Sequence, residues 1–526
     1  MAREEKVENV EKELKAQLFN SCSNGNVEEV RTLLQNPQVN INWKNACGET
    51  PFWIACQKGY LNIVKLLFDD ERVDIYEADN SDQTPFYIAC GKGHIEIVKL
   101  LLNDESVDVN EANKRDQTPF YYACQEGHIE IVKLLLEDER VDVNKDDYND
   151  DDDEYRDDGK TPLWIACYYG HIEIVKLLLN DERTDTNITL RNGGTPLLIA
   201  CQEGYAEIVK LLLEDERVDI NQADNDGWTP FYIACEKGYV EIVKLLFNDQ
   251  RIDINKVNIN GWTPFYIACQ EGRIEIVKLL LNDQGINLIN DETPLYIVCK
   301  KGHIEIVKLL LNDQRIDINK ANKDEITPLS IACDYGHIEI VKLLLMDERI
   351  DINKVNNHGQ TALYVACFYG RTEIVKLLLN DERIDVNKAT NSNATPFSAA
   401  CGCGRIEIVK ILLNDKRVDI NQGDYSLETP FIITCQEGHI EIVKHILASG
   451  RELNLNVKGH DGKTAIDIAR ENEKMGIDEC RLSEEKYQKR KRDYGMIIEL
   501  LESFERNPNE TRTKLRMQLG FAGKFN

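Results

Sequence analysis

TPLWIACYYGHIEIVKLLL, residues 161–179, holds two helices and the break between them. Thr161 is an N-cap residue and Pro162 takes the first helical position, where a missing N–H costs nothing, so a helix starts at this dipeptide. Gly170 ends it about two turns later, because glycine enters the left-handed conformation of a helix cap without strain. His171 opens a second segment whose apolar residues recur at helical spacing. Its outer face carries a Glu-to-Lys pair, as Glu96 with Lys99 in a sister segment. Runs rich in Asp, Asn and Gly then follow, which cannot continue a helix and read as an extended turn or hairpin, a finger.

The stretch recurs along most of the chain. Its opening Thr stands at 50, 84, 118, 161, 195, 229, 263, 293, 327, 361, 395, 429 and 464, and nine of the twelve intervals are 34 residues. The exceptions are 43 after Thr118, 30 after Thr263 and 35 after Thr429. A fixed period of this size means stacked supersecondary units, each burying its apolar face on the next, rather than a string of globular domains.

With its Thr-Pro-Leu opening, its small residue at Ala166 and its Gly170-His171 junction, the stretch closely resembles the ankyrin repeat, and the resemblance covers roughly residues 14–470. It implies an all-α repeat solenoid of stacked helix-turn-helix units with hairpin or finger loops, wound into a curved superhelix of about fourteen units, caps included. This sequence departs from the family in three ways. The period is one residue longer than about 33, an aromatic such as Tyr87 or Trp164 replaces the usual opening His, and Cys replaces the second small residue.

The expected organisation is an N-terminal helix and capping repeat over 1–49, twelve repeats over 50–463, a C-terminal capping repeat with an extended basic helix over 464–506, and a short basic tail over 507–526. Asn20, Glu29 and Thr32 stand where inner units have Ile, Ile and Leu, while Arg470 takes the Cys position and Glu502 a Leu position; such polar replacements suit a face with no neighbour. An insertion, DDYNDDDDEYRDDG at 146–159, lengthens one finger by nine residues and carries eight Asp and one Glu. It lacks the alternation and central glycine of a calcium loop, and reads as a solvated acidic loop, a docking site for a basic partner or a weak cation site.

Charge narrows the function. The chain of 526 residues carries a net charge of −29, which repels phosphate backbones and anionic membrane surfaces, so neither nucleic acid nor membrane is expected as a partner. Residues 481–526 reverse the balance, with 11 Lys and Arg against 7 Asp and Glu. The start has no apolar core of a secretory signal and no run is long and apolar enough for a membrane span, so a soluble, monomeric cytoplasmic protein is expected. The KRKR run at 489–492 leaves a nuclear address open.

Twelve of the 16 cysteines share one position, from Cys56 and Cys90 through Cys401 and Cys435. In one unit Phe265, Ala268 and Cys269 lie on a single stripe of the first helix, the face that must pack on its neighbours, and a small apolar side chain suits that place. Successive copies stand about one layer of 8–10 Å apart, beyond the roughly 7 Å reach of a disulfide. The Cys-x3-His pattern (Cys90 with His94, Cys124 with His128, Cys333 with His337) is not a ligand set, since Tyr60, Tyr205, Tyr239, Arg273, Arg371 and Arg405 fill the His position elsewhere. Cys403, in CGCG at 401–404, is the local exception. The DGKT runs at 158–161 and 461–464 lack the first glycine of a phosphate loop, and no nucleophile or acid–base constellation stands out. No enzyme, cofactor or metal is expected.

The resemblance implies a protein-binding scaffold or adaptor, with recognition along the concave and finger surface. Variation concentrates in the finger tips and the two residues after each Cys, where packing does not dictate identity. Trp228 and Trp262 occupy equivalent finger positions in adjacent units, Tyr335, Phe368 and Tyr369 form a second group, and Tyr168 and Tyr169 a third; these aromatics are the candidate partner contacts. The aromatics at Tyr87, Tyr121, Tyr232 and Tyr266 are expected to be half-buried and structural. A rival reading is a signalling or nuclear regulator whose basic C-terminal helix acts while the array targets it. A third is a thiol redox or metal sensor.

Overall fold

The computed structural model describes residues 16–147, 159–288, 293–475 and 483–520. Among these residues every regular element is a helix and no strand forms. The chain divides into two units, Met1–Ile267 and Ala268–Asn526.

Each repeat starts as its Thr and Pro dictate. Thr50, Thr84 and Thr118 are extended and accept a hydrogen bond on Oγ1 from the N–H of Trp53, Tyr87 and Tyr121, each at 3.1 Å. The helix Ala362–Tyr369 has no proline at its start, yet Thr361 caps Tyr364 N in the same way at 3.2 Å, so the threonine sets the start and proline reinforces it. The first helices end at glycines held at φ near +80°, such as Gly127 and Gly170. The second helices, such as Ile95–Leu102 and Ile172–Asn180, bury one stripe, Ile97, Val98 and Leu101 in the first case. Lys99 pairs with Glu96 at 2.7 Å on the outer face.

Neighbouring repeats are joined by polar bonds at three heights. At the junction between the helices, His94 binds the carbonyl of Gln57 at 2.9 Å and its ring lies over Gly59, where a Cβ would collide with it. At the far end of the second helix, Arg217 pairs with Asp215 at 2.7 Å and donates to the Leu179 carbonyl of the preceding repeat, meeting the negative end of that helix. In the finger, Asn187 donates to the Arg217 carbonyl and accepts from Asp219 N, both at 2.8 Å. The second unit repeats the device, with Asn353 bridging Arg383 O and Asp385 N at 2.8 Å each. A single backbone bond links adjacent finger tips, as Asn225 N to Asn192 O at 2.8 Å. The fingers are therefore chains of turns stitched tip to tip rather than hairpins of paired strands.

Most of the acidic insertion, 148–158, lies outside the described residues. Its two ends are clamped together: Asp147 is buried and accepts from Tyr121 Oη, Gly159 N and Lys160 N at 2.7–3.1 Å. Across it the repeat stitch is intact, Asn144 bridging Arg183 O and Asp185 N.

The first and last helix pairs described carry polar residues where inner repeats are apolar. Asn20 and Thr32 are exposed and Glu29 is half-exposed. Arg470 and Glu502 meet at 2.8 Å, one replacement answering the other. The helix Glu484–Arg506 buries Tyr494, Ile497, Leu501 and Phe504. Tyr494 Oη reaches the Gln436 carbonyl, the counterpart of the carbonyls that histidines take in inner repeats. The basic segment after it is a helix, Pro508–Gln518, which Asn507 caps and which lies against the helix Ile440–Ser449.

Candidate functional site

The inward stripe of each first helix is closed to chemistry. All twelve repeated cysteines are 0% exposed and none forms a disulfide. Burial pushes their thiols upward, Cys401 to about 12, so the reactive thiolate is suppressed as well as hidden. Cys403 is half-exposed and Cys47, in a finger, is exposed. Among the described residues no group of three or more His, Cys, Asp or Glu could hold a metal ion.

The interchange of histidine and arginine after the glycine has a physical cause. His337 bonds the Lys300 carbonyl at 3.1 Å, and in the next two repeats Arg371 and Arg405 donate Nε to Asp334 O at 2.8 Å and Phe368 O at 3.0 Å. Where histidine or arginine stands there, each supplies a planar donor that reaches the preceding helix end, so the two interchange.

Tyr87, Tyr121, Tyr232 and Tyr266 are at most 2% exposed, so the expectation of half-burial is corrected. Polar partners from the following finger make full burial possible: Asn113 Nδ2 donates to Tyr87 Oη at 2.9 Å, and Tyr121 Oη donates to Asp147. Trp164 is the exception among these aromatics. Trp53 donates its indole N–H to the Gln83 carbonyl at 2.7 Å, whereas buried Trp164 Nε1 has no hydrogen-bond partner among the described residues.

What remains outward is aromatic. Tyr168 and Tyr169, following Cys167, are 39% and 48% exposed; Tyr168 stacks on Trp164 at 5.4 Å and meets Tyr169 edge-on at 5.0 Å. Phe368 and Tyr369 repeat the arrangement after Cys367, at 42% and 46% exposure, with Phe368 on Tyr364 at 6.4 Å and the pair edge-on at 5.1 Å. Tyr335 is 50% exposed and stacks on His337. Each ring rests on a residue of its own repeat, which fixes its direction while leaving a face open.

Trp228 and Trp262 are only half-exposed. Each follows a glycine at positive φ, its backbone is clamped by Asp224 or Asn258, and its ring stacks on Tyr232 at 6.2 Å or Tyr266 at 5.4 Å. Their fingers adjoin, Ile259 N donating to Asp226 O at 3.0 Å. Sequence reasoning missed two fingers with apolar tips. Val257 and Ile259 are exposed beside Trp262, and Tyr425 and Leu427 stand out in the finger before Thr429. The signal was present, since sister fingers carry Ala223 and Asn225 where this one has Val257 and Ile259, and Asn225 and Gly227 where the other has Tyr425 and Leu427.

No helix among the described residues is long and apolar enough to cross a membrane. No curated protein gives a significant match to the chain. A family model for ankyrin repeats in three copies matches residues 6–79, 71–147, 146–224, 216–291, 282–356 and 348–424 in succession. With those matches spanning most of its length and its helix pairs capped and stitched at the same period, the chain belongs to the ankyrin repeat family.

Proposed function

We propose that this protein is a non-catalytic scaffold that captures partner proteins through the outward aromatics of its repeats. Ankyrin repeats are in general protein-interaction modules, and that much follows from the family. The observation that carries the finer reading is the contrast within single helices. Tyr335, Phe368 and Tyr369 expose 42–50% of their surface one or two residues after cysteines that expose none. Large aromatics left exposed on helices whose other apolar residues are buried, half-exposed Tyr364 apart, are the side chains that dominate binding energy. Trp228 and Trp262 with Val257 and Ile259 form a second contact area, and Tyr168 with Tyr169 a third. The scaffold works as a soluble monomer in the cytoplasm.

The test is quantitative affinity capture from lysate with the wild type and with Tyr335, Phe368 and Tyr369 all changed to Ala. Retention of the principal partner falls at least tenfold while the melting temperature stays within a few degrees. Equal retention by both proteins refutes the reading. A rival in which the basic helix is the effector draws on the exposure of Lys489, Lys491 and Arg492. Changing those three to Glu leaves both capture and location unchanged on the scaffold reading, whereas on the rival one capture by the array persists and the nuclear location or downstream effect is lost.

A further inference from the structure

Between successive second helices the array forms a shallow groove that recurs from repeat to repeat. In the first unit it is lined by Lys176, Glu182, Glu214, Asp215, Glu216 and Arg217, an acidic set. Another copy carries Lys278, Asp313 and Arg315 as its charges. In the copy between Ile406–Asn414 and Ile440–Ser449 each acidic position is replaced. Lys416 stands for Glu182, Ala448 for Glu214, Ser449 for Asp215 and Gly450 for Glu216, and the lining keeps Lys410 and Arg451. Leu519, at the end of the last helix, closes it into a cavity of about 570 Å³ whose apolar part is Leu413, Ala448 and Leu519.

The replacements also undo the pairing of the cations. In sister repeats the arginine is held by the aspartate two residues earlier, as Arg417 by Asp415 and Arg383 by Asp381, each at 2.7 Å. Ser449 keeps only the backbone part of that contact, accepting from Arg451 N at 3.2 Å, so among the described residues Arg451 has no carboxylate in ion-pair contact, although its charge still reaches the Asp415 carboxyl. Its guanidinium is held in place by the carbonyls of Asp415 and Val418. Lys416 is exposed and likewise has no carboxylate in ion-pair contact among the described residues, while Lys410 is matched by Glu407 at 2.7 Å. His445 takes the place of Leu211, is 7% exposed, and donates Nδ1–H to the Glu441 carbonyl at 2.8 Å. Two monocations, Lys416 and Arg451, that make no ion pair among the described residues stand beside an apolar wall and complement a charge of about −1.5 to −2, that of a phosphate monoester near pH 7, rather than the single charge of a carboxylate. The volume lies in the range of small-ligand pockets, about 300–1,000 Å³. The acidity of the rest of the chain does not oppose this locally, since exposed charges beyond about 8–10 Å are screened at physiological salt.

We propose that this cavity, framed by Lys416, Arg451, His445 and Leu519, is a binding site for a phosphate monoester carried on a small apolar body. The test is isothermal titration calorimetry of the full chain with phenyl phosphate, benzoate and inorganic phosphate. The expected result is saturable one-site binding of phenyl phosphate, at least tenfold tighter than either comparison anion and weakened by added salt. Lys416→Glu and Ser449→Asp each restore a residue that sister repeats carry, so both variants fold, and each lowers the phenyl phosphate affinity at least tenfold at unchanged melting temperature. A phosphotyrosine flanked by alanines, run beside phenyl phosphate, separates a phosphorylated side chain from a free ester, the two sources of this chemistry. No saturable binding by the wild type, equal affinity for benzoate, or full affinity in both variants overturns the proposal.

Discussion

Arg405 Nε donates to the carbonyl of Phe368 at 3.0 Å, so the residue that presents an outward ring has its backbone held by the next repeat. His439 does the same for Gly402 at 3.1 Å. Arg405→His therefore keeps the bond and shifts stability by less than about 0.5 kcal/mol. Arg405→Ala leaves the carbonyl without this donor and costs about 1–2 kcal/mol. Urea midpoints of the two variants against wild type check the pair, and equal losses contradict the assignment.

Asn353 makes one donor and one acceptor bond to the following repeat. Asn353→Ala is expected to lower stability by about 1–2 kcal/mol. Asn353→Asp is no rescue, because it turns the donor facing the Arg383 carbonyl into a second acceptor. Thermal melts of both variants decide this, and a wild-type melt for the aspartate variant rules out the bridging role.

The nine Asp–Arg pairs from Asp70 with Arg72 to Asp415 with Arg417 set the acid response. The arginine hydrogen bond holds each carboxyl below its ordinary value of 3.8. A group lowered by folding gives stability that is complete above the unfolded value and is lost as pH falls through the folded one. Stability is thus expected to drop from near pH 4 downward, and added salt flattens the drop. Glu111, Asp147, Asp224, Asp334 and Glu428, raised by burial, act the opposite way but are outnumbered. Urea midpoints between pH 5 and pH 2.5 that do not fall contradict the role of the pairs.

Features fixed by local backbone chemistry were legible in the sequence. Thr50 with Pro51, Gly127 at positive φ and the apolar stripe of Ile97, Val98 and Leu101 each announce their structure within one turn. The stitches were not legible, because Asn187 finds Arg217 30 residues away and in sequence is one polar letter of a turn. The same distance hid the burial of Tyr87, whose hydroxyl depends on Asn113. Of the candidate site, the outward direction of Phe368, Tyr369, Tyr168 and Tyr169 followed from their place after the cysteine. The stacking of Trp228 on Tyr232 did not, since it depends on how the finger folds back over its own helix. The cationic cavity was invisible because Leu519 reaches it from the short basic tail, far along the chain from Lys416 and Arg451.

Double alanine substitution of Trp228 and Trp262 removes two half-buried stacks, each worth about 0.5–1.5 kcal/mol beyond burial. A small drop in melting temperature is therefore expected alongside weaker partner capture. An unchanged melt shows that the stacks do not form.

The central claim is that inward side chains are consumed by contacts between repeats, leaving only outward ones to recognise a partner. Site-resolved thiol alkylation of the native protein, read by mass spectrometry against a urea-unfolded control, tests it most directly. Cys47 is expected to react at once and Cys403, half-exposed and with its thiol raised by partial burial, more slowly, whereas the twelve repeated cysteines, buried and held as thiols, react only when the array unfolds. Labelling of any of those twelve at the rate of Cys47 under native conditions would contradict the account.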